Sequence, residues 1–191
     1  MSINRTQEVE QKFEAPVGVS WSFAPVATVG PERRFSLQAT YYDTTAFSLV
    51  RSGCSLRRRE GGSDAGWHLK LPRGSGLGRE ELQLPLSKEL PDQLQAVVTS
   101  WTAEPVAPVA VIATDRREYD VFVDGVACAL FVADSVATRA GDQTQRWHEF
   151  EVELLPGADP ALLGVLTQAL AHSGVHPAQH GSKIARALGI A

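Results

Sequence analysis

The chain has 191 residues, 43% of them hydrophobic, enough for one domain with a buried core. Its formal net charge of -4 argues against a general nucleic-acid or anionic-membrane surface, since both require a basic face. The start lacks a charged n-region with an apolar h-region, no run of about 18 apolar residues exists, and Cys54 and Cys128 show no metal-ligand spacing; a cytoplasmic protein with reduced thiols is expected.

In chain order, "TQEVEQKFE" (6–14) predicts a strand. Residues 16–30 read ambiguously as a short helix and a loop, and "RFSLQATYYDT" (34–44) predicts a strand rich in aromatic and β-branched residues. A turn or helical fragment at 47–54 precedes "SLRRRE" (55–60), the "GGSDAG" turn and the hairpin partner "WHLKLP" (67–72). After the turn "RGSGLG" come the strand "REELQLPL" (79–86) and a helix over 88–102, with apolar spacing at Leu90, Leu94, Val97, Val98 and Trp101. Strands follow near 109–114, 116–123, 126–139 and 146–155, with Asp120 and Asp124 assigned to a hairpin turn near Gly125. The helix over 159–174 has Asp159 as N-cap, Pro160 in the first turn and Gly174 as stop, and a last short helix is expected over 181–189. About eight antiparallel strands joined by hairpins, with few helices, point to an α+β chain built on a barrel or strongly curved sheet.

A strand turns alternate side chains to opposite faces. Glu8, Glu10 and Lys12 therefore oppose Val9, Gln11 and Phe13. Arg57 and Arg59 share a face, as do His68 and Lys70; Arg79, Glu81 and Gln83; and Glu149, Glu151 and Glu153. The opposite faces are largely apolar. For one strand alone, a solvated face is the simpler account. Here whole strands carry one sign, acidic at 8–10 and 149–153 and basic at 57–59, 70 and 116–117. An inverted barrel accounts for this, with charges inside and helices over an apolar exterior. Clustered Arg and Lys suit phosphoryl oxygens, and clustered carboxylates suit Mg²⁺ or Mn²⁺. Together they are what phosphoryl transfer needs.

These residues resemble the CYTH superfamily, the triphosphate tunnel metalloenzymes, over nearly the whole chain. The opening E-x-E-x-K is Glu8, Glu10 and Lys12; "TYYDT", "LRRRE" and "WHLKLP" follow in the family's order. The resemblance implies an eight-stranded closed β-barrel, a triphosphate tunnel with helices packed outside, and a single domain over residues 1–191. It implies that Lys12, Arg57, Arg59, Lys70, Arg79, Arg116 and Lys183 bind the phosphate chain, with Arg117 as the alternative to Arg116 if the register slips. It implies that Glu8, Glu10, Glu81, Asp134, Glu149 and Glu151 hold Mg²⁺ or Mn²⁺, with Glu153 as a further candidate, and that Glu8, Glu10 and Lys12 are catalytic. The expected activity is metal-dependent triphosphate hydrolysis on a small-molecule substrate by a monomer or homodimer. The alternatives are a class IV-type adenylate cyclase and a polyphosphate- or nucleotide-binding module without turnover. Ser55 stands where thiamine triphosphatases carry an aromatic residue, and Thr114 and Asp115 stand where many members carry Lys; the first departure favours inorganic tripolyphosphate over thiamine triphosphate. Trp67 and Tyr41 are the remaining candidates for a stacking face. The pattern is also similar to the CYTH half of bacterial proteins with a second, histidine-rich CHAD domain, and no segment here reads as that domain.

Other features read as structural. Gly174, Pro177 and Gly181 interrupt any helix that would align His172, His176 and His180. "GSGLG" (74–78) lacks the Lys-Ser/Thr of a P-loop and reads as a hairpin turn. Trp21, Trp101, Trp147 and both cysteines read as packing residues.

Overall fold

A computed structural model describes residues 3–72, 74 and 78–190. The elements follow in the order β1 (Asn4–Glu8), β2 (Glu10–Glu14), β3 (Thr28–Val29), β4 (Arg33–Asp43), α1 (Ser48–Arg51), β5 (Ser55–Glu60), β6 (Gly66–Lys70), β7 (Arg79–Pro85), α2 (Asp92–Val98), β8 (Ala107–Val123), β9 (Val126–Ala140), β10 (Gln143–Leu154), α3 (Ala161–Ala171), β11 (His176–Pro177) and α4 (Lys183–Leu188).

The strands form one antiparallel sheet of eleven, ordered β1-β7-β6-β5-β4-β8-β9-β10-β2-β11, with β3 pairing β8 off this path. This corrects the expected eight-stranded closed barrel: the ladder has free ends at β1 and β11. The physical reason lies in the first segment. Residues 4–8 pair with β7, residues 10–14 pair with β10, and Val9 breaks the strand between them. The sheet's edges are joined there by the covalent chain and by Leu154 N–H donating to the Val9 carbonyl at 2.9 Å, not by a continuous ladder. Gly78 allows this seam: at φ +88° its Cβ, if present, would lie 2.3 Å from the Glu8 carbonyl oxygen.

Other boundaries also differ from the expected ones. Residues 16–30 contain no helix, only β3. The strands expected at 109–114 and 116–123 are one seventeen-residue strand, because Asp115 points out of the sheet and makes no turn there. Asp120 is not in the turn: it lies within β8 and takes both Arg33 guanidinium nitrogens at 2.6 and 3.0 Å. Asp124 (φ 50°) and Gly125 (φ 79°) do form the two-residue turn, as a type I′ hairpin requires. Helix α2 is shorter than 88–102, and Trp101 beyond it is 38% exposed. At α3, Asp159 accepts from Ala161 N–H at 2.9 Å, and Gly174 follows with φ +74°. Most of the glycine-rich turn expected at 74–78 lies outside the described residues.

The apolar faces form three clusters. Leu49 of α1 and Leu94 and Val98 of α2 cover Leu56, Trp67, Leu69, Leu82 and Leu84 of β5–β7. Leu166 and Leu170 of α3, with Phe23, cover Phe13, Phe131, Phe150 and Val152. Each fully buried side chain of this size contributes about 1.5–3 kcal/mol. The third cluster corrects the expectation that helices pack only outside. Ile184 and Ala187 of α4 pack against Tyr41, Ile112, Val136 and Trp147, on the face that carries the charges. Ser182 caps this helix by accepting from Ala185 N–H at 3.2 Å.

Asp43, 1% exposed, ends β4 and fixes the next turn. Its carboxylate accepts from the N–H groups of Thr44, Leu49 and Val50 at 2.7, 2.9 and 2.9 Å. Asp43→Ala leaves these donors without an acceptor and is expected to cost about 2–4 kcal/mol of stability. A urea-unfolding midpoint unchanged from wild type would contradict this role.

Candidate functional site

The register places the charged side chains. On the inner face, Thr6, Glu81, Lys70 and Ser55 stand opposite one another across β1, β7, β6 and β5. Phe35, Arg116, Asp134, Glu149 and Glu14 form a second row across β4, β8, β9, β10 and β2. Lys12 lies opposite Glu151, and Glu10 opposite Glu153. Cross-strand neighbours on one face are within side-chain reach, so charge pairs follow from the pairing itself. The rows turn Arg116 inward, while Arg117 is exposed on the other face.

The inner faces surround a cavity of about 80 Å³ lined by Glu8, Glu10, Lys12, Tyr41, Ser55, Arg57, Arg59, Asp64, Lys70, Arg79, Glu81, Arg116, Glu151, Glu153, Ser182 and Lys183. Of the residues expected at the site, only Asp134 and Glu149 are off its lining, and both lie behind Lys183. Two further cavities adjoin it. One, of about 290 Å³, shares Glu8, Asp64, Glu81, Arg116 and Glu153; the other, of about 280 Å³, shares Glu8, Glu10, Lys12 and Arg79.

One sector is a closely paired ion cluster. Lys183 Nζ lies 2.9, 2.5 and 2.7 Å from Asp134 Oδ2, Glu149 Oε1 and Glu151 Oε1. Arg116 forks onto Asp134 at 2.8 and 2.9 Å and reaches Glu151 at 3.3 Å. Lys12 lies 2.5 Å from Glu151 and 3.0 Å from Glu10. Trp147 donates its indole N–H to Glu149 at 2.6 Å. Burial opposes every charge here, but the neighbours prevail: Lys12 and Lys183 hold their protons more tightly than usual, and Asp134, Glu10 and Glu151 stay below the ordinary carboxylate range. Asp134, Glu149 and Glu151 present oxygens all within 4.8 Å of one another, hard donors of the kind a divalent cation takes, and in this structure they converge on the Lys183 ammonium. Among the described residues this is the group that converges so closely; Glu8, Glu10 and Glu81 stand outside it.

In the opposite sector the pairing is incomplete. Arg57 reaches Tyr41 Oη at 3.4 Å and Glu81 at 3.7 Å; Arg59 meets Asp64. The Nε–H groups of both arginines are buried with no acceptor. Burial, with Arg57 and Arg116 nearby, lowers Arg59 to about 9. Glu8 lies 2.5 Å from Lys70, yet burial, aided by Glu81, pushes it up to about 7; burial likewise raises Glu153. Arg79 donates to the Gly53 and Gly181 carbonyls, tying this end together.

Three neighbours of these residues were not identified as site residues from sequence. His68, 1% exposed, has Nε2 2.9 Å from the Asp64 carbonyl, to which it donates, and Nδ1 3.1 Å from Glu81 Oε1; burial lowers it to about 4. Its shared face with Lys70 was the available signal. The Tyr41–Arg57 contact follows from β4–β5 register, which alternation alone does not give. Asp64 lies in a turn, where no periodicity operates.

A profile of the CYTH domain matches residues 6–188. Two uncharacterized proteins, from Mycobacterium tuberculosis strains CDC 1551 / Oshkosh and H37Rv, are each 40% identical over 209 residues, covering 97% of this chain. The chain spans 40% of the length of those relatives. Human thiamine-triphosphatase is 39% identical over 70 residues, 37% of this chain and 29% of that protein. The fold is shared with a candidate adenylyl cyclase of Hippeastrum that has a dominant triphosphatase activity, at TM-score 0.54 and 16% identity over 96% of this chain and 97% of that one. With that domain matched across nearly all of its length, the chain belongs to the CYTH family.

Proposed function

We propose that this chain is a single-domain, metal-dependent triphosphate hydrolase, with inorganic tripolyphosphate as its favoured substrate and thiamine triphosphate next. The observation that carries the reading is the pair of buried Nε–H donors on Arg57 and Arg59, which lack acceptors beside a carboxylate-lined cavity. A buried donor without an acceptor costs about 1–3 kcal/mol, and phosphoryl oxygens would remove that cost.

In this reading Arg57, Arg59 and Lys70 grip the phosphate chain from one wall, while Lys12, Arg116 and Lys183 meet it from the other. Their positions are fixed by strand pairing and, for Lys183, by the docking of α4, so charge developing on phosphoryl oxygens meets donors already in place. Asp134, Glu149 and Glu151, with Glu8 and Glu10 across the cavity, would hold Mg²⁺ or Mn²⁺, which when bound supplies charge neutralisation and acidifies water. In this reading Glu8 and Glu10 would help hold the metal and position the attacking water, and Lys12 joins them in catalysis.

The aromatic residues favour a substrate without an organic base. Trp67 is buried against Tyr42 on the outer face, with ring centroids 4.9 Å apart. Trp147 is covered by Arg186 at 4.6 Å, and Tyr41 uses its hydroxyl on Arg57. Ser55 lines the cavity where an aromatic would stand in a thiamine triphosphatase. The triphosphatase activity of the Hippeastrum relative supports hydrolysis over cyclisation. A binding module would need the cations alone, and the buried carboxylates count against it.

Phosphate release from tripolyphosphate, thiamine triphosphate and ATP, with cyclic AMP followed in the last, tests the reading. Release from tripolyphosphate that is lost on chelation and restored by Mg²⁺ or Mn²⁺ is expected. Cyclic AMP without phosphate release would overturn hydrolysis, and tight binding without turnover would leave a binding module.

Arg57→Ala is expected to weaken tripolyphosphate binding at least about tenfold; unchanged affinity would remove the cationic wall from the reading. Glu8→Gln and Glu10→Gln should each lower turnover by about 10²–10⁴-fold while sparing metal-independent binding.

Glu8 also makes a stability prediction. Its raised value means the folded state gains from the protonated form at low pH and loses that contribution as pH rises from 4.5 through about 7. Glu8→Gln should therefore gain on wild type, by about 1–3 kcal/mol, between pH 5 and pH 8. Parallel unfolding curves for the two proteins at both pH values would contradict the assignment.

A further inference from the structure

We infer that Asp64 competes with substrate for the Arg59 guanidinium and so sets how tightly the cavity takes a triphosphate. This rests on the reading of the cavity as a phosphate site.

The contact between Arg59 Nη2 and Asp64 Oδ2 is asymmetric. The Arg59 side chain is 6% exposed, whereas that of Asp64 is 47% exposed. The cation is buried and reaches solvent only through the cavity it lines, while the anion already faces water. When the cavity holds no anion, Asp64 is the carboxylate in contact with Arg59, whose neighbours Arg57 and Arg116 are themselves cations. A buried arginine left unpaired among like charges is strongly unfavourable, so the contact has a reason to form.

The same geometry lets the contact break. Asp64 lies in the β5–β6 turn, just after Gly61 and Gly62, which adopt φ +80° and +75°. Its backbone is held: the Asp64 carbonyl accepts from His68 Nε2 at 2.9 Å and Gln83 Nε2 at 3.2 Å. Rotation about the side chain alone therefore moves the carboxylate, with the turn fixed. Asp64 lines both the central cavity and the adjoining 290 Å³ cavity, so its carboxylate stands at their junction. A half-exposed carboxylate gives up little on returning to water. Once it leaves, Arg59 offers Nη2 together with the Nε that has no acceptor, and that pair is the fork a phosphoryl group takes with two oxygens. Asp64 thus stands in for substrate on one of its cations.

Glu60 is the internal control. It carries the same charge beside the same turn, is 51% exposed, and pairs with Arg58 on the outer face at 2.7 Å.

The test is calorimetric binding of tripolyphosphate, at fixed ionic strength and without divalent cation, to wild type, Asp64→Asn, Glu60→Gln, Arg59→Gln and the Arg59→Gln/Asp64→Asn double variant. Asn keeps the size of Asp64, and Gln keeps a hydrogen-bonding head at 59 without the charge. Asp64→Asn is expected to tighten binding about 3–10-fold, Glu60→Gln to leave it unchanged, and the gain to vanish in the Arg59→Gln background. No tightening, or equal tightening from Glu60→Gln or in the Arg59→Gln background, would overturn the inference by reducing Asp64 to bulk charge. Arg59→Gln binding as tightly as wild type would instead sink the phosphate-site reading beneath it.

Discussion

The constraint on which the rest depends is the burial of many charges on the inner face of one sheet. Ions removed from water are costly unless partners and hydrogen bonds replace the lost solvation. Antiparallel register supplies most of those partners: Arg116 opposite Asp134, Lys12 opposite Glu151, Lys70 opposite Glu81. Lys183 arrives from α4 and completes the acidic trio. Compensation stops short in two places: at Arg57 and Arg59, which keep donors without acceptors, and at Glu8 and Glu153, whose carboxylates burial raises. Donors wanting anions and carboxylates wanting cations therefore share one cavity. Pairing for stability alone would not leave both.

Stability is drawn chiefly from elsewhere. Two of the apolar clusters lie on the outer face under α1, α2 and α3, so the charged interior does not have to supply the core. The third cluster differs, because α4 packs Ile184 and Ala187 against inner-face residues while its first residue, Lys183, joins the ion cluster. Helix docking and charge balance are therefore coupled at that end. The Arg186–Trp147 contact and the Trp147–Glu149 hydrogen bond extend that coupling to β10.

Much of this was legible in the sequence because a strand's two-residue period states which side chains share a face. The inner sets at 8–12, 57–59, 68–70, 79–83 and 149–153 were readable that way, and the choice of Arg116 over Arg117 needed only the added fact that Asp134 stands opposite it. Closure was not legible. Alternation runs unbroken through Val9, yet the hydrogen-bonding partner changes there from β7 to β10, and partner choice leaves no mark in the period. The inward packing of α4 was hidden for a related reason: a six-residue helix with two buried apolar residues does not say which side of a sheet receives it. Asp120 was misassigned because an Asp near Asp-Gly suggests a turn, whereas a bidentate Arg33 from β4 satisfies it within the strand. Asp64 could not be found by pattern, since a turn residue's partner is set by how the loop folds back.

The same parity argument bears on substrate. Trp67 alternates with His68, so if His68 and Lys70 face the cavity, Trp67 cannot, and it is buried with Tyr42 outside. Ser55, opposite Lys70, keeps that row small and polar where an aromatic would have narrowed it. Tyr41 faces inward, but its hydroxyl meets Arg57 and its ring packs in the cluster under α4. What remains facing the cavity is almost entirely charge, with cations and carboxylates interleaved on both sides. Such a surface can discriminate by the number and spacing of phosphoryl oxygens, but it has little with which to recognise a base. Under the proposed function that favours a bare phosphate chain over a nucleoside or thiamine conjugate, and on the inference drawn from Asp64 the balance between Arg59 and its carboxylate neighbour sets the affinity.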